Sequence, residues 1–370
     1  NKFYGYLYPR VVNDISAFPR YSGVPRDISR GGFNSGETDL SGIGFQNDWL
    51  LIQIGRGRQS WGSGHEIQLA LSEHSSAYDY GLLGLNFGKL RVRYIHGYLE
   101  SDSSAINRYI TARGIEWSNQ NSFVISLSES VIYSGLNRPI DLGYINPMST
   151  HLEIELNDRK NRLGTNSGNG VWQLSIDWML RSNIRFSGNL LFDELVLDNI
   201  EKDEGKEHGM AYSYRVSYSP IIHDNYLINF YISLLKIGTP TFRHGDGNNN
   251  FVQRGKPLGW EYGSDGRELR FGLSYFNMNN LIGNIKIGQR QIGEESIIYN
   301  PYNTYFDHLS GKFPSGKVNN ISFIDFESQW WLRPNISVMF SIRYTNSVID
   351  DQSIEYKIGT EIFYPKIFKI

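Results

Sequence analysis

The residue types that most often do chemistry are present in this chain, but their spacing does not assemble them. Its eight histidines are His65, His74, His96, His151, His208, His223, His244 and His308, and they form neither an H-E-x-x-H pair nor another paired metal spacing. There is no cysteine, which removes thiolate zinc sites, iron–sulfur clusters, disulfides and thiol nucleophiles together. No G-x-S-x-G elbow presents a serine. Gly55, Gly57 and Gly62, around Arg56–Trp61, miss the G-x-G-x-x-G order and open no helix, so no phosphate cradle is expected. The run His244–Asn250 (H-G-D-G-N-N-N) offers oxygen ligands but lacks the spacing and terminal glutamate of a calcium loop. A flexible external loop is expected there, and acidic Glu201–Glu207 reads as a solvated loop tip. No catalytic residue, metal or cofactor is therefore expected. What remains is recognition chemistry, and the elements that would position it.

Composition narrows those elements. Lys and Arg number 36 against 38 Asp and Glu, which excludes a strongly basic nucleic-acid binder. Eight Trp, 24 Tyr and 20 Phe make the chain 14% aromatic, and 38 Gly with scarce Ala disfavour a helical protein. No apolar run is long enough for a transmembrane helix, which needs about 18 residues or more. The chain opens at Asn1 without a basic-then-apolar leader, so any secretory leader is expected to have been removed.

Alternation decides the class. Between Val171 and Leu180, Trp172, Leu174, Ile176, Trp178 and Leu180 share one face, and Gln173, Ser175 and Asp177 the other. The same period of two recurs at 183–193, 209–219, 225–235, 268–278, 281–290, 336–345 and 354–364. A soluble sandwich has strands of about five or six residues, whereas these run about ten, the length that crosses a bilayer at a tilt. The apolar faces end in Tyr, Trp and Phe, as in interfacial girdles, while the polar faces carry Asp177, Arg185, Arg215, Arg270, Lys286, Arg290, Asp325 and Arg343. The expected fold is an all-β transmembrane antiparallel β-barrel.

Loop parity counts its strands, because short turns and long loops alternate in such barrels. Sixteen segments satisfy it: 2–8, 39–47, 49–56, 80–87, 89–98, 108–118, 121–130, 171–180, 183–193, 209–219, 225–235, 268–278, 281–290, 320–331, 336–346 and 353–364. Segment 108–118 alternates poorly. The apolar runs His65–Ser72 and Thr150–Asp158 break parity unless 57–79 and 131–170 are excursions; counting both runs as wall would give 18 strands. Both excursions are expected to fill the lumen, where irregular backbone is tolerated, and residues 1–370 are expected to form one barrel domain. Short turns would face the periplasm, with both chain ends, and long loops the exterior.

The stretch Gly55-Arg56-Gly57-Arg58-Gln59-Ser60-Trp61-Gly62-Ser63-Gly64 resembles the G-R-x-x-x-x-W-G-x-G signature of the capsule assembly (Wzi-type) family of outer-membrane proteins. The likeness continues in order through Ser72-Glu73-His74, Tyr78-Asp79-Tyr80, Asn86-Phe87-Gly88-Lys89, Tyr94-Ile95-His96-Gly97, Arg108-Tyr109, Ser128 to Tyr133 and Tyr144-Ile145-Asn146-Pro147. It covers about residues 20 to 195. The resemblance implies an outer-membrane barrel that binds and organises surface polysaccharide, lectin-like and without catalysis. Its partners would be extracellular polysaccharide and outer-membrane lipid or lipopolysaccharide, with no nucleic acid. The other reading is a porin-type diffusion channel.

Sugars are held by planar hydrogen-bonding groups and aromatic faces, and acidic sugars by Arg or Lys as well. Arg56, Arg58, Gln59 and Trp61 are candidates in the first excursion, and Arg113, Glu129, Arg138, Asp141 and Asn146 would complete a lumenal network. These residues either contact the ligand or pair with one another to anchor a plug. Trp260, Tyr262, Tyr299, Tyr302, Tyr305 and Phe306 are outer-loop candidates.

Overall fold

Each of the sixteen expected segments is a strand in the computed structural model, which describes residues 2–13, 21–25, 31–100, 105–159, 168–194, 196, 200, 203, 207–223, 225–305, 312–349 and 351–362. They are β1 (Lys2–Val12), β2 (Ser35–Gln46), β3 (Leu50–Gly57), β4 (Tyr78–Asn86), β5 (Leu90–Leu99), β6 (Ile106–Ser118), β7 (Phe123–Leu136) and β8 (Asn169–Arg181). The second half holds β9 (Ile184–Glu194), β10 (Gly209–His223), β11 (Tyr226–Ile237), β14 (Gly266–Asn277), β15 (Leu281–Ile292), β16 (Asn319–Arg333), β17 (Ile336–Ser347) and β18 (Asp351–Ile362). Two further strands, β12 (Val252–Gln253) and β13 (Lys256–Pro257), form a separate small hairpin. The wall is one sheet in which each strand pairs with its chain neighbour, from β1 to β11 and on through β14 to β18. It is an antiparallel β-barrel wall of sixteen strands, not eighteen.

Three of the short turns share a mechanism. The Asn47 Oδ1 accepts from the backbone N–H of Trp49 and Leu50, that of Asn119 from Asn121, Ser122 and Phe123, and that of Asn277 from Asn279, Asn280 and Leu281. Each side chain takes the place of a missing ladder carbonyl, so the chain reverses within a few residues. All the short turns lie at one end of the barrel, and the long connections at the other.

The two faces follow the alternation. On β8, Trp178 and Leu180 are exposed outward, while Gln173 and Ser175 are buried inward. Inward Asp177 accepts from Arg185 on β9 at 2.7 and 2.8 Å, a forked pair suited to a wet lumen. Inside the upper wall lies a dry cluster of Trp61, Leu69, Leu71, Ile95, Ile110, Ile132, Leu191, Phe251, Leu258 and Trp260. Two connections supply its centre, 58–77 and 238–265. They are stitched by backbone bonds from Ser72 to Leu258 and from Trp260 to Leu69. The run His65–Ser72 is thus part of a strap across the lumen, and 238–265, read from sequence as an outer loop, folds inward with it.

The second excursion goes the other way. Residues 131–136 extend β7 and 169–170 begin β8, so only 137–168 leaves the wall. Its described part contains α1 (Leu142–Ile145), capped by Asp141, and α2 (His151–Leu156), capped by Thr150. The run Thr150–Asp158 is therefore a helical turn, begun by a T-x-x-E capping sequence. Tyr144 and Ile154 pack on Tyr109, Val131 and Tyr133. Those three wall residues share strand parity with the exposed outward Ile115, Trp117 and Leu127. The segment therefore covers the outer face of the wall and does not fill the lumen. Poor alternation in 108–118 has the same cause: from Arg108 to Arg113 every residue is buried, by the strap's cluster inside and this segment outside.

Candidate functional site

The G-R-x-x-x-x-W-G-x-G stretch builds the strap. Gly62 and Gly64 have φ of +110° and +78°, which side chains rarely adopt, and a Cβ at Gly62 would stand 2.6 Å from the Gln173 Nε2. The turn they form tucks Trp61 into the dry cluster. Arg93 lies 5.0 Å over the Trp61 ring and donates to the Gln59 Oε1 at 2.8 Å. The Arg58 Nε donates to the Ser75 carbonyl at 2.6 Å, and its guanidinium pairs with Asp39 at 2.6 Å. These three side chains anchor the strap from within. Arg56 is separate from them: it shares outward parity with exposed Ile52 and Ile54 and pairs with Asp79 at 3.1 Å and Glu100 at 3.6 Å.

The tip of the strap crosses to the far wall. Glu66 meets Lys286 at 2.7 Å and Arg270 at 2.6 Å, while Arg215 donates to the His65 carbonyl at 2.9 Å. Burial alone would push the Glu66 carboxyl up, but Lys286 and Arg270 outweigh it and hold the group at about 2. Glu268 continues the row, pairing with Arg270 at 2.5 Å and Arg290 at 2.6 Å. Alternation had put Arg270, Lys286 and Arg290 on the inner face, but it gave no sign of Glu66.

The expected lumenal network is assembled, on the opposite side of the wall. Arg113 lies 3.2 Å from Glu129 and donates to the Asn146 carbonyl at 3.0 Å. Glu129 also accepts from the His151 backbone N–H at 3.1 Å, with the imidazole Nδ1 at 2.7 Å. Arg138 pairs with Asp141 at 3.2 Å and lies over Tyr133, which stacks on Tyr144 at 4.3 Å. Arg113, Glu129, Arg138, Asp141 and Asn146 are thus brought together outside the barrel, where they pin the α1–α2 segment. The outward parity of Arg113 and Glu129, shared with Ile115 and Leu127, was the signal for it.

The long-connection end carries the remaining candidates. Trp260 is buried in the dry cluster and Tyr262 packs against it. Tyr302 lies over the guanidinium of Arg108 at 5.2 Å, and its hydroxyl accepts from the Gly255 N–H at 3.2 Å. Tyr305 lies over Arg243 at 5.0 Å; burial pushes its hydroxyl up to about 12, so it stays a neutral donor. Tyr299 is exposed, beside Asn300 and Asn303, whose side chains bond each other at 3.0 Å. Phe306 and most of Glu201–Glu207 lie outside the described residues.

Arg108, fully buried, was not among the candidates. It donates to the carbonyls of Glu100, Asn248, Asn250 and Val252 and so nails 248–252 to β6. Asn249 and Asn250 are fully buried too, and Asn249 accepts from the Ser134 hydroxyl at 2.7 Å. The run His244–Asn250 is therefore a packed turn and not a flexible loop. Among the described residues, no group of three or more His, Asp or Glu is placed to hold a metal ion.

No protein-family model matches the chain. No curated protein matches it either. Among solved structures it is similar to Wzi, an outer membrane protein involved in group 1 capsule assembly in Escherichia coli and a carbohydrate-binding β-barrel. That likeness has a TM-score of 0.63 and 13% identity over 90% of this chain and 70% of that one. It is also similar to OprD of Pseudomonas aeruginosa, with a TM-score of 0.49 and 9% identity over 88% and 80% of the two chains. At 13% identity the likeness to Wzi is one of fold, that of an outer-membrane β-barrel.

Proposed function

We propose that this chain binds and helps assemble surface polysaccharide at the outer membrane, lectin-like and without catalysis. In this reading residues 1–370 form one barrel domain, the long-connection end faces the exterior, and the short turns and both strand termini face the periplasm. The observation that carries it is the loop 293–305. It offers exposed Tyr299, paired Asn300 and Asn303, and half-buried Tyr302 and Tyr305, with Arg108 and Arg243 beneath the last two. Aromatic faces and amides are sugar-binding groups, and their fixed backing lowers the entropy cost of contact. The Wzi-like fold supports the same reading.

Sugar hydroxyls exchange water for protein partners at little net gain, so retention of a polymer would come from many repeats held by many copies. Cells displaying the protein should retain native surface polysaccharide, while single sugars bind in the millimolar range, about 4 kcal/mol, or less. The triple variant Tyr299→Ala, Asn300→Ala, Asn303→Ala should lose retention with the folded barrel intact. Retention equal to wild type in that variant and in a deletion strain would overturn the reading.

A second reading, a solute channel, draws on one observation. On the inner face of the wall, Glu355 and Lys357 keep exposed side chains, and Glu327 a half-exposed one beside Lys286. Steady ion conduction by the unmodified protein in planar bilayers would favour that reading.

A further inference from the structure

The α1–α2 segment has two faces of opposite character. Its inner face holds Tyr144, Ile154 and His151 against the wall. Its outer face presents Leu142, Met148 and Leu156 at 79, 84 and 83% exposure, with Ile140 and Leu152 about half exposed beside them. Leu152 and Leu156 are four apart and so share one side of α2. Among the segment's charges, Glu153 pairs with Arg159 at 2.6 Å and Glu155 accepts from the Tyr144 hydroxyl, while Asp158 is exposed at its far end. An apolar patch of this extent needs an occupant.

The register of the wall identifies it. Glu129 lies opposite Trp172 of β8, which in turn lies opposite Phe192 of β9, so the Arg113–Glu129 pair sits level with the outward aromatic rows of neighbouring strands. Directly below it on the same face, Leu127, Ile115 and Trp117 are exposed to lipid. An uncovered ion pair at that height would face the membrane, where hydrocarbon strongly disfavours charge. The segment that roofs it is therefore itself at membrane depth, and its apolar row continues the lipid-facing belt. We propose that residues 137–159 form a lateral ledge whose row Ile140, Leu142, Met148, Leu152 and Leu156 is buried among lipid acyl chains at the long-connection side of the membrane. The ledge lets the wall carry outward charges without exposing them to hydrocarbon. This inference does not depend on the glycan reading.

Because the chain has no cysteine, single cysteines can be placed and nitroxide-labelled directly. Leu142→Cys, Leu152→Cys and Leu156→Cys are examined in proteoliposomes, with Ile54→Cys as the lipid-facing reference and Tyr299→Cys as the aqueous one. Heat-modifiable gel migration checks that each variant is folded. Collision rates with oxygen and with a water-soluble nickel chelate are compared. The oxygen-to-nickel ratio at the three ledge sites should match Ile54 and exceed Tyr299 severalfold. A ratio at all three like that of Tyr299 overturns the proposal. So does shelter from both reagents, which would mean that a second copy or another protein covers the ledge.

Discussion

Glu66 and Lys286, 220 residues apart in sequence, meet at 2.7 Å in the middle of the barrel. Glu66 sits at the tip of the strap between β3 and β4, and its second oxygen meets Arg270 of β14. In the wall order β4 is fourth and β14 twelfth, so the contact spans eight places of the sixteen-stranded sheet. The strap thus reaches across the lumen, and Glu66 at its tip joins two strands of the far wall.

Glu66→Gln should loosen this crossing. It removes one charge from a group of otherwise paired ions and leaves Arg270 and Lys286 with Glu268 and Glu327 alone. Ion conductance in planar bilayers should rise severalfold over the unmodified protein and shift toward anions. Identical conductance in the two would show that the strap is held elsewhere. In the unmodified protein the carboxylate, held at about 2 by the two cations, contributes stability that is fully present above the ordinary glutamate pKa of about 4.3. That contribution is lost only as pH falls through about 2, so conductance should stay flat from neutral pH down to mildly acid conditions.

The two faces of β8 make opposite demands. Ile176→Arg, outward and near the middle of the strand, should cost about 2–4 kcal/mol in unfolding measurements in lipid or detergent. Asp177→Asn breaks the pair with Arg185, whose side chain is more than half exposed, and should cost only about 0–1 kcal/mol. Equal losses at the two neighbours would reverse the assignment of faces.

The strap should be hidden from the long-connection side. A single cysteine at Ser63, on the strap within the lumen, contrasts with one at exposed Tyr299. With intact cells, a large impermeant thiol reagent should label Tyr299→Cys readily and Ser63→Cys hardly at all. Comparable labelling rates at the two sites would mean that the 58–77 and 238–265 connections do not shield the lumen from that side.

The turn at His244 should respond to pH. Burial holds the imidazole pKa below its ordinary value, although Asp246 opposes the shift. The neutral ring accepts from the Asp246 N–H at 3.0 Å, a bond that protonation of Nδ1 destroys. A group whose folded pKa is depressed in this way adds stability above its unfolded pKa of about 6.5 and loses it as pH falls. Hydrogen exchange at the amides of residues 244–250 should therefore speed up below about pH 6 in the unmodified protein, and His244→Asn should flatten that dependence. Exchange independent of pH once intrinsic rates are removed would refute this coupling.

The sequence by itself determined most of the wall: the sixteen segments that satisfy loop parity, and which face of the strongly alternating ones meets lipid. Alternation with a period of two is local, and one buried face locks the register of each strand. Tertiary structure decided where the excursions go. Irregular segments carry no period that ties them to one face, so 57–79 and 131–170 read alike, yet 58–77 crosses the lumen while 137–159 lies on the outside. Packing also decided the partners: Glu66 with Lys286, Arg108 with the carbonyls of 248–252, and Arg113 with Glu129 beneath an outer ledge. Such buried ions and amides pair with whatever the closed barrel brings near, and that proximity exists only after the wall has formed.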